Sequence, residues 1–303
     1  MPSTHIPVMP AEVFERLELK AGDVYVDCTA GLGGHAAIAA GLVGSAGRIV
    51  LNDVDPENLT RATERVRAAG VSVDALRGNF ADIGRRLVAA GLRADGVLAD
   101  LGFSSNQMDD GVKGLSFMRE APLDMRLDPS LPISALDLVN GSSEGELSSM
   151  IREFGEEPFA GRIARKLVQT RTTSPISTTL QLADAVRAAV PGGRTSGIDP
   201  ATKTFQALRI AVNDELGCLG AFLKSIEDAA AGRMGWMNAG CRICVISFHS
   251  LEDRMVKRTF GGLVKSGLAV EVGEQGVGPS DAEIDVNPRS RSAKMRSIEI
   301  GNV

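Results

Sequence analysis

The chain has 303 residues, 44% of them hydrophobic, which suffices for one large domain or for a core domain carrying an insertion. A net charge of −5 argues against a protein that is basic overall for nucleic-acid binding, though local basic patches remain compatible with it, and one Trp and one Tyr leave few stacking platforms. No apolar run approaches the roughly 18 residues of a membrane span. The N-terminus has no basic n-region and no Arg before Arg16, so a cytoplasmic protein without a membrane partner is expected.

The first twenty residues carry His5-Ile-Pro-Val and then a short amphipathic helix over 11–19. Residues 24–27 read as a buried strand ending in Asp27, followed by Gly31, Gly33 and Gly34 and an Ala-rich helical run over 36–43. A strand, a Gly-rich turn and a helix start let backbone approach a ligand closely. A nicotinamide enzyme more typically shows G-x-G-x-x-G. The order here, an acid and then G-x-G-G, suits S-adenosylmethionine (SAM), which has no pyrophosphate and whose cationic ammonium and sulfonium favour a nearby carboxylate. The plainer alternative is a turn kept for packing.

A second strand over 48–52 closes in Asp53-Val-Asp55-Pro56. Asp53, twenty residues after Gly33, is spaced to accept from ribose hydroxyls, while Asp55 before Pro56 reads as a helix N-cap. A helix over 56–69 and a strand over 71–76 follow, ending in Asn79-Phe80, which reads either as an adenine edge-and-face contact or as core. A fourth strand over 94–99 ends in Asp100-Leu-Gly-Phe-Ser-Ser-Asn-Gln107. Four strands alternating with helices predict a doubly wound, mostly parallel α/β sheet, with Asp27, Asp53, Phe80 and Asp100 converging at the carboxyl ends where such sheets bind ligands.

The alternation then stops for about a hundred residues. Residues 111–126 read as loop, with Lys113, Asp124 and Arg126, and helical patterning dominates 135–190. A helix over 156–171 is expected to open with two acids and Pro158. Its Arg162, Arg165, Lys166 and Arg171 form either a solvated face or a phosphate-contacting one. Asp199-Pro200 predicts the start of one long helix with a buried stripe at Phe205, Leu208, Val212, Leu216, Leu219, Leu223 and Ile226. A second stripe, Lys203, Gln206, Arg209 and Asn213, is either ordinary surface or the lining of a substrate cleft. A strand over 242–248 is expected to rejoin the sheet beside strand four, ending in His249-Ser250, with a helix over 254–264. Residues 267–287 are Gly-rich and acidic and read as including a flexible loop; a basic stretch over 289–296 precedes a final strand over 297–300. Cys241 and Cys244 form a C-x-x-C, but an offset of three in a strand puts them on opposite faces, so buried thiols rather than a metal site are expected.

Together these motifs resemble the bacterial 16S ribosomal RNA cytosine-N4 methyltransferase (MraW) family. The matches run from His5-Ile-Pro-Val and Asp27-Cys-Thr-Ala-Gly-Leu-Gly-Gly-His35 through Asp53-Val-Asp-Pro56, the Asp100–Gln107 stretch and Pro122-Leu-Asp-Met-Arg126. They continue through Phe154-Gly-Glu-Glu157, Pro200-Ala-Thr-Lys-Thr-Phe-Gln206 and Ile246-Ser-Phe-His-Ser-Leu-Glu-Asp-Arg254 to Asn287-Pro-Arg-Ser-Arg-Ser292. The resemblance implies a class I SAM-dependent methyltransferase fold with a helical insertion. The expected division is a core over 1–108 and 206–303 and a substrate-recognition insertion over 109–205. It also implies SAM contacts at Gly33, Gly34, His35, Asp53, Phe80, Asp100 and Gln107, and 16S rRNA or the small ribosomal subunit as partner, with the oligomeric state open between monomer and homodimer.

The candidate catalytic set is Asp100 with Ser104 and Ser105 of the turn after strand four, where an acceptor for the amine hydrogen is needed. The candidate substrate set is Lys113, Asp124, Arg126, Lys203, Gln206, Arg209, Asn213 and His249. No Cys stands at the end of strand four, which favours attack by nitrogen over carbon-5 chemistry. Departures from the family pattern are Asp199 for His, Lys203 for Arg, Lys113-Gly-Leu-Ser-Phe for Arg-Gly-Phe-Ser-Phe, and Asn238-Ala-Gly-Cys-Arg for a Gly-Gly-Arg turn. Lys lacks the guanidinium fork, which puts RNA positioning rather than methyl transfer in question. The rival expectations are a methyltransferase for protein or a small molecule, and a SAM-binding assembly factor without catalysis.

Overall fold

The computed structural model describes residues 6–103, 107, 111–191 and 199–301. The chain forms two compact units, Met1–Gly102 with Leu216–Val303, and Phe103–Glu215. The expected division placed these boundaries at 108/109 and 205/206. The second of those positions falls inside a helix of the second unit, Ala201–Asn213.

The first unit is built on a seven-stranded sheet: β1 (Val24–Asp27), β2 (Arg48–Asp53), β3 (Ser72–Arg77), β4 (Ala94–Asp100), β5 (Met237–Ser247), β6 (Ala269–Glu271) and β7 (Lys294–Ile300), in the order β3-β2-β1-β4-β5-β7-β6. The first five are parallel, and β7 runs antiparallel to both β5 and β6. The chain reverses its direction of travel across the sheet between β1 and β4, so the crevice for a ligand opens at their carboxyl ends. The returning strand β5 pairs with β4, as expected. Helix α1 (Pro10–Leu17) precedes β1, and α2 (Gly34–Val43), α3 (Pro56–Arg67) and α4 (Ile83–Ala89) connect β1 to β4 in turn.

Alternating strand residues feed two cores. Val26, Val50, Val97, Cys241, Ile243 and Val245 join one with Phe222 and Trp236, while Tyr25, Ile49, Leu51, Leu98, Cys244 and Ile246 join the other with α1, α2 and α3. Cys241 and Cys244 therefore lie on opposite faces, each buried, and burial raises both thiols, that of Cys244 to about 12.

The second unit contains α5 (Ala135–Gly141), α6 (Glu144–Gly155), α7 (Ala160–Thr173), α8 (Thr179–Ala189) and α9 (Ala201–Asn213) around a single apolar core. Capping boxes at Ser134, Ser143 and Thr178 start α5, α6 and α8. Four further expectations are corrected here. The helix expected over 156–171 begins only at Ala160: Glu156 takes a left-handed conformation that ends α6, and the Glu157 carboxylate is used by the Phe159 N–H. The strand expected from residue 242 begins at Met237, because the bond from Asn238 to Asp95 and the left-handed Gly240 build the variant turn into β5 as an irregularity. Residues 267–287, read as including a flexible loop, hold β6 and helix α12 (Asp281–Val286), which follow α11 (Ser250–Lys265).

The fourth correction concerns the long helix expected from residue 199. It is two helices, α9 and α10 (Glu215–Ala230), broken at Asp214, which sits in the left-handed region with its N–H on the Ile210 carbonyl. The continuous apolar stripe thus serves two cores: Phe205, Leu208 and Val212 pack in the second unit, and Leu219, Leu223 and Ile226 in the first. The break gives opposite signs for two substitutions. At a left-handed position Asp214→Gly should be neutral or stabilising, and Asp214→Ala should cost about 1 kcal/mol in urea unfolding. A helix continuous through residue 214 would reverse that order.

Candidate functional site

Three carboxylates stand at the ends of β1, β2 and β4. Asp27 is buried; its Oδ1 accepts from the Thr29 N–H at 3.2 Å and its Oδ2 from the Tyr25 hydroxyl at 3.4 Å. Burial, with the nearby Asp53 charge adding to it, raises its pKa from 3.8 to about 7. Asp53 accepts the Gly31 N–H on Oδ2 at 2.8 Å and the Asp55 N–H on Oδ1 at 2.9 Å. Asp55 caps α3 through the Glu57 and Asn58 N–H groups, as expected of an N-cap. Asp53 instead reaches the glycine turn through Gly31.

Asp100 carries the least satisfied carboxyl. Its N–H is held by the Thr29 hydroxyl at 2.8 Å, but its buried Oδ1 accepts no hydrogen bond. Burial first, and then the charges of Asp27, Glu252 and Glu283, push this carboxyl well above the usual range. A cationic or hydrogen-donating group placed against Oδ1 would restore its charge, which is the character of a SAM ammonium or of a nucleobase amine.

The glycines of the turn act through packing as well as approach. Gly33, left-handed at φ +73°, is the N-cap of α2, and a Cβ there would lie 2.9 Å from the Ala62 Cα of α3. Gly34 faces Pro7, whose Cβ would be 3.2 Å from an added Cβ. His35 is buried and its Nε2 lies 2.8 Å from the Val8 carbonyl, an acceptor, so that nitrogen donates. His35 thereby fastens the N-terminal segment, which Glu283 also holds through the Met9 N–H at 2.8 Å. Phe80 is half-buried, edge-on to Phe222 at 5.6 Å, and follows Asn79, whose amide donates to Cys218 Sγ at 2.9 Å. Gln107 is buried. Ser104 and Ser105 lie outside the described residues.

The expected substrate residues are mostly occupied in bracing the second unit. Lys203 donates to the Glu156 carbonyl and Gln206 to the Phe154 carbonyl, each at 3.0 Å. Arg209 makes a bidentate pair with Glu215 at 2.7 and 2.8 Å and lies over the Phe103 ring at 4.9 Å. Asn213 bonds the Met125 carbonyl and the Leu127 N–H, both at 2.8 Å. This stripe ties α9 to the end of α6, to residues 125–127 and to Glu215.

Asp124 and Arg126 form a bidentate pair at 2.8 Å, Arg126 also donates to the Leu131 carbonyl, and the Arg126 guanidinium holds the Asp124 carboxyl below its usual range. Lys113 donates to the Leu127 carbonyl. His249 is the N-cap of α11, its ring accepting from the Glu252 N–H, and so has a structural task at the end of β5. Of the basic segments, Arg171 is tied to the Val139 carbonyl and Arg296 to Asp253, while Arg162, Arg289, Arg291 and Lys294 are exposed. Sequence reasoning missed Asn52, Thr29 and Glu283. Asn52 and Thr29 stood beside the motif residues, but their partners lie 24 or more residues away, which no local pattern shows.

Two predictions follow from these bonds. Because the folded pKa of Asp27 is raised, the native state binds more protons than the unfolded chain between about pH 4 and 7, and stability falls as pH rises through that window. The difference between wild type and Asp27→Asn in urea unfolding should therefore change across pH 4–7 and be flat above it; a pH-independent difference would contradict this. Arg209→Ala should lower stability by about 2 kcal/mol by stranding Glu215, with SAM affinity in calorimetry unchanged.

The MraW methylase family matches residues 2–301 of the chain. The ribosomal RNA small subunit methyltransferase H of Symbiobacterium thermophilum is 43% identical over 313 residues, covering 97% of this chain and 96% of that protein. The protein of the same name from Geobacter sulfurreducens is 43% identical over 319 residues, covering 99% of each chain, and that of Clostridioides difficile 40% over 312 residues, covering 97% and 98%. With the match running almost from end to end, on top of the strand order and the three strand-end carboxylates, the chain belongs to the MraW methylase family.

Proposed function

We propose that this protein transfers a methyl group from SAM to the exocyclic N4 amine of a cytidine in 16S ribosomal RNA. The observation that carries the reading is Asp100 at the end of β4: a buried carboxyl oxygen without a donor, at the sheet's topological switch point, in a chain of a methylase family. The relatives named as small-subunit rRNA methyltransferases support 16S rRNA as the substrate. The exposed Arg289, Arg291 and Lys294 supply cations for phosphate contacts despite the net negative charge.

SAM, when bound, supplies a methyl group on a sulfonium centre. The residues present fit it: the Gly31–Gly34 turn offers a close backbone approach, Asp53 places a carboxylate beside that turn, and Phe80 offers a ring edge at the end of β3. The cytosine amine needs its lone pair released from the ring and a proton removed as the N–C bond forms. An acceptor at Asp100 Oδ1 does both, by taking a hydrogen bond from the amine and then drawing off its proton. No covalent adduct with the enzyme is needed. Alignment of amine, methyl and sulfonium supplies much of the rate, so a base turned out of its stack and held rigidly matters more than acid strength.

Incubation with methyl-tritiated SAM and either naked 16S RNA or 30S particles, followed by nucleoside digestion, should place the label in N4-methylcytidine. Label in protein, in carbon-5-methylcytidine or nowhere would contradict the reading. Asp100→Asn should lower the single-turnover rate about a hundredfold at saturating SAM. A change confined to SAM affinity would make Asp100 a cofactor-binding residue alone.

A further inference from the structure

Asn52, one residue before Asp53, makes an unusual set of bonds for a strand residue. It is 1% exposed, and its Nδ2 donates both to the Cys28 carbonyl at 2.9 Å and to the Gly78 carbonyl at 3.0 Å. Those are the first carbonyls past the ends of β1 and β3, where neither strand offers a partner in the ladder. The Asn52 main-chain carbonyl accepts the Ala30 N–H at 2.9 Å. Its Oδ1 accepts from Arg86 Nη1 at 3.3 Å, and the same Nη1 donates to the Arg77 carbonyl at 2.8 Å. Gly78 has φ +149°, and the Arg86 guanidinium lies where a Cβ would stand, so Arg86 is packed flat against that turn.

We propose that Asn52 is a positioning residue for the methyl donor, with Arg86 as its support: the Asn52 amide fixes the separation between the glycine turn after β1 and the Asn79–Phe80 turn after β3. The proposal rests on the SAM reading above. The amide holds Cys28, three residues before Gly31, and Gly78, two before Phe80, so both walls of the crevice hang on one side chain. Asp53, in the next position, bonds the same two turns, through its carboxylate to the Gly31 N–H and through its main-chain carbonyl to the Gly78 N–H. A site assembled this way is pre-organised: ordering of the two turns is complete before a ligand arrives, and binding does not have to supply it. Loss of the amide removes the donor from the buried Cys28 carbonyl and from the half-buried Gly78 carbonyl, and lets the turns separate.

The test compares wild type, Asn52→Asp, Asn52→Leu and Arg86→Ala, with Leu263→Ala in α11 as a destabilised control away from both turns. SAM affinity is read by calorimetry, and methyl transfer to 16S RNA by steady-state kinetics. Wild type must bind SAM; if it does not, the cofactor reading itself fails, and the role of Asn52 with it. Given binding, both Asn52 variants should raise the SAM Kd and KM about 10- to 100-fold, with kcat at saturating SAM within about twofold. Arg86→Ala should move the same quantities in the same direction by less, since it touches only Oδ1 and one carbonyl. Leu263→Ala should lower Tm and leave the SAM Kd unchanged. Should Asn52→Leu fail to fold, Asn52→Asp and Arg86→Ala carry the test. SAM affinity like that of wild type in those variants, with a lowered Tm, would make Asn52 structural only and overturn the proposal.

Discussion

The end of β2 is where the first unit is decided. Parallel strands stop pairing as they reach the switch point, and the loops that leave them carry amides and carbonyls that must be satisfied away from the ladder. Asn52 and Asp53 satisfy both neighbouring turns at once: Cys28, Ala30 and Gly31 on the β1 side, Gly78 on the β3 side. The Asn52 side chain reaches both turns, and the main-chain carbonyls of Asn52 and Asp53 add one bond to each. The glycine turn is therefore a held conformation, and Gly33 can be pressed against α3 in the left-handed region without the loop relaxing.

The same constraint concentrates negative charge. Asp27, Asp53 and Asp100 are brought to one edge, and the two for which burial dominates, Asp27 and Asp100, are pushed upward in pKa. Such an arrangement is costly for a structural cluster and suited to a site that receives a cation or a proton. Asp27 has its two donors and Asp100 leaves Oδ1 without one, so the two buried acids are not equivalent.

Much of this was legible in the sequence. The strand-end acids and the opposite faces of Cys241 and Cys244 follow from period-two alternation and from where strands stop, and the return of β5 beside β4 was expected too. Three kinds of feature were not. A left-handed Asp214 leaves an apolar stripe unbroken, so two helices read as one. Polar residues at helical spacing look alike whatever they bond, and only coordinates show Lys203, Gln206 and Asn213 on main-chain groups and Arg209 on Glu215. Finally, the tasks of Asn52 and His35 depend on partners distant in sequence, one of which, Val8, belongs to the opening segment. The MraW resemblance named candidate residues by motif, whereas the bonds among them came from the coordinates.

A structure of the protein soaked with S-adenosylhomocysteine tests the central claim most directly. The account predicts the ribose hydroxyls within hydrogen-bond distance of Asp53, the adenine beside Phe80, and the Asn52 bonds to Cys28 and Gly78 unchanged from those described above. Ligand density away from the ends of β1, β2 and β4, or a β2 end that rearranges to admit the ligand, would contradict it.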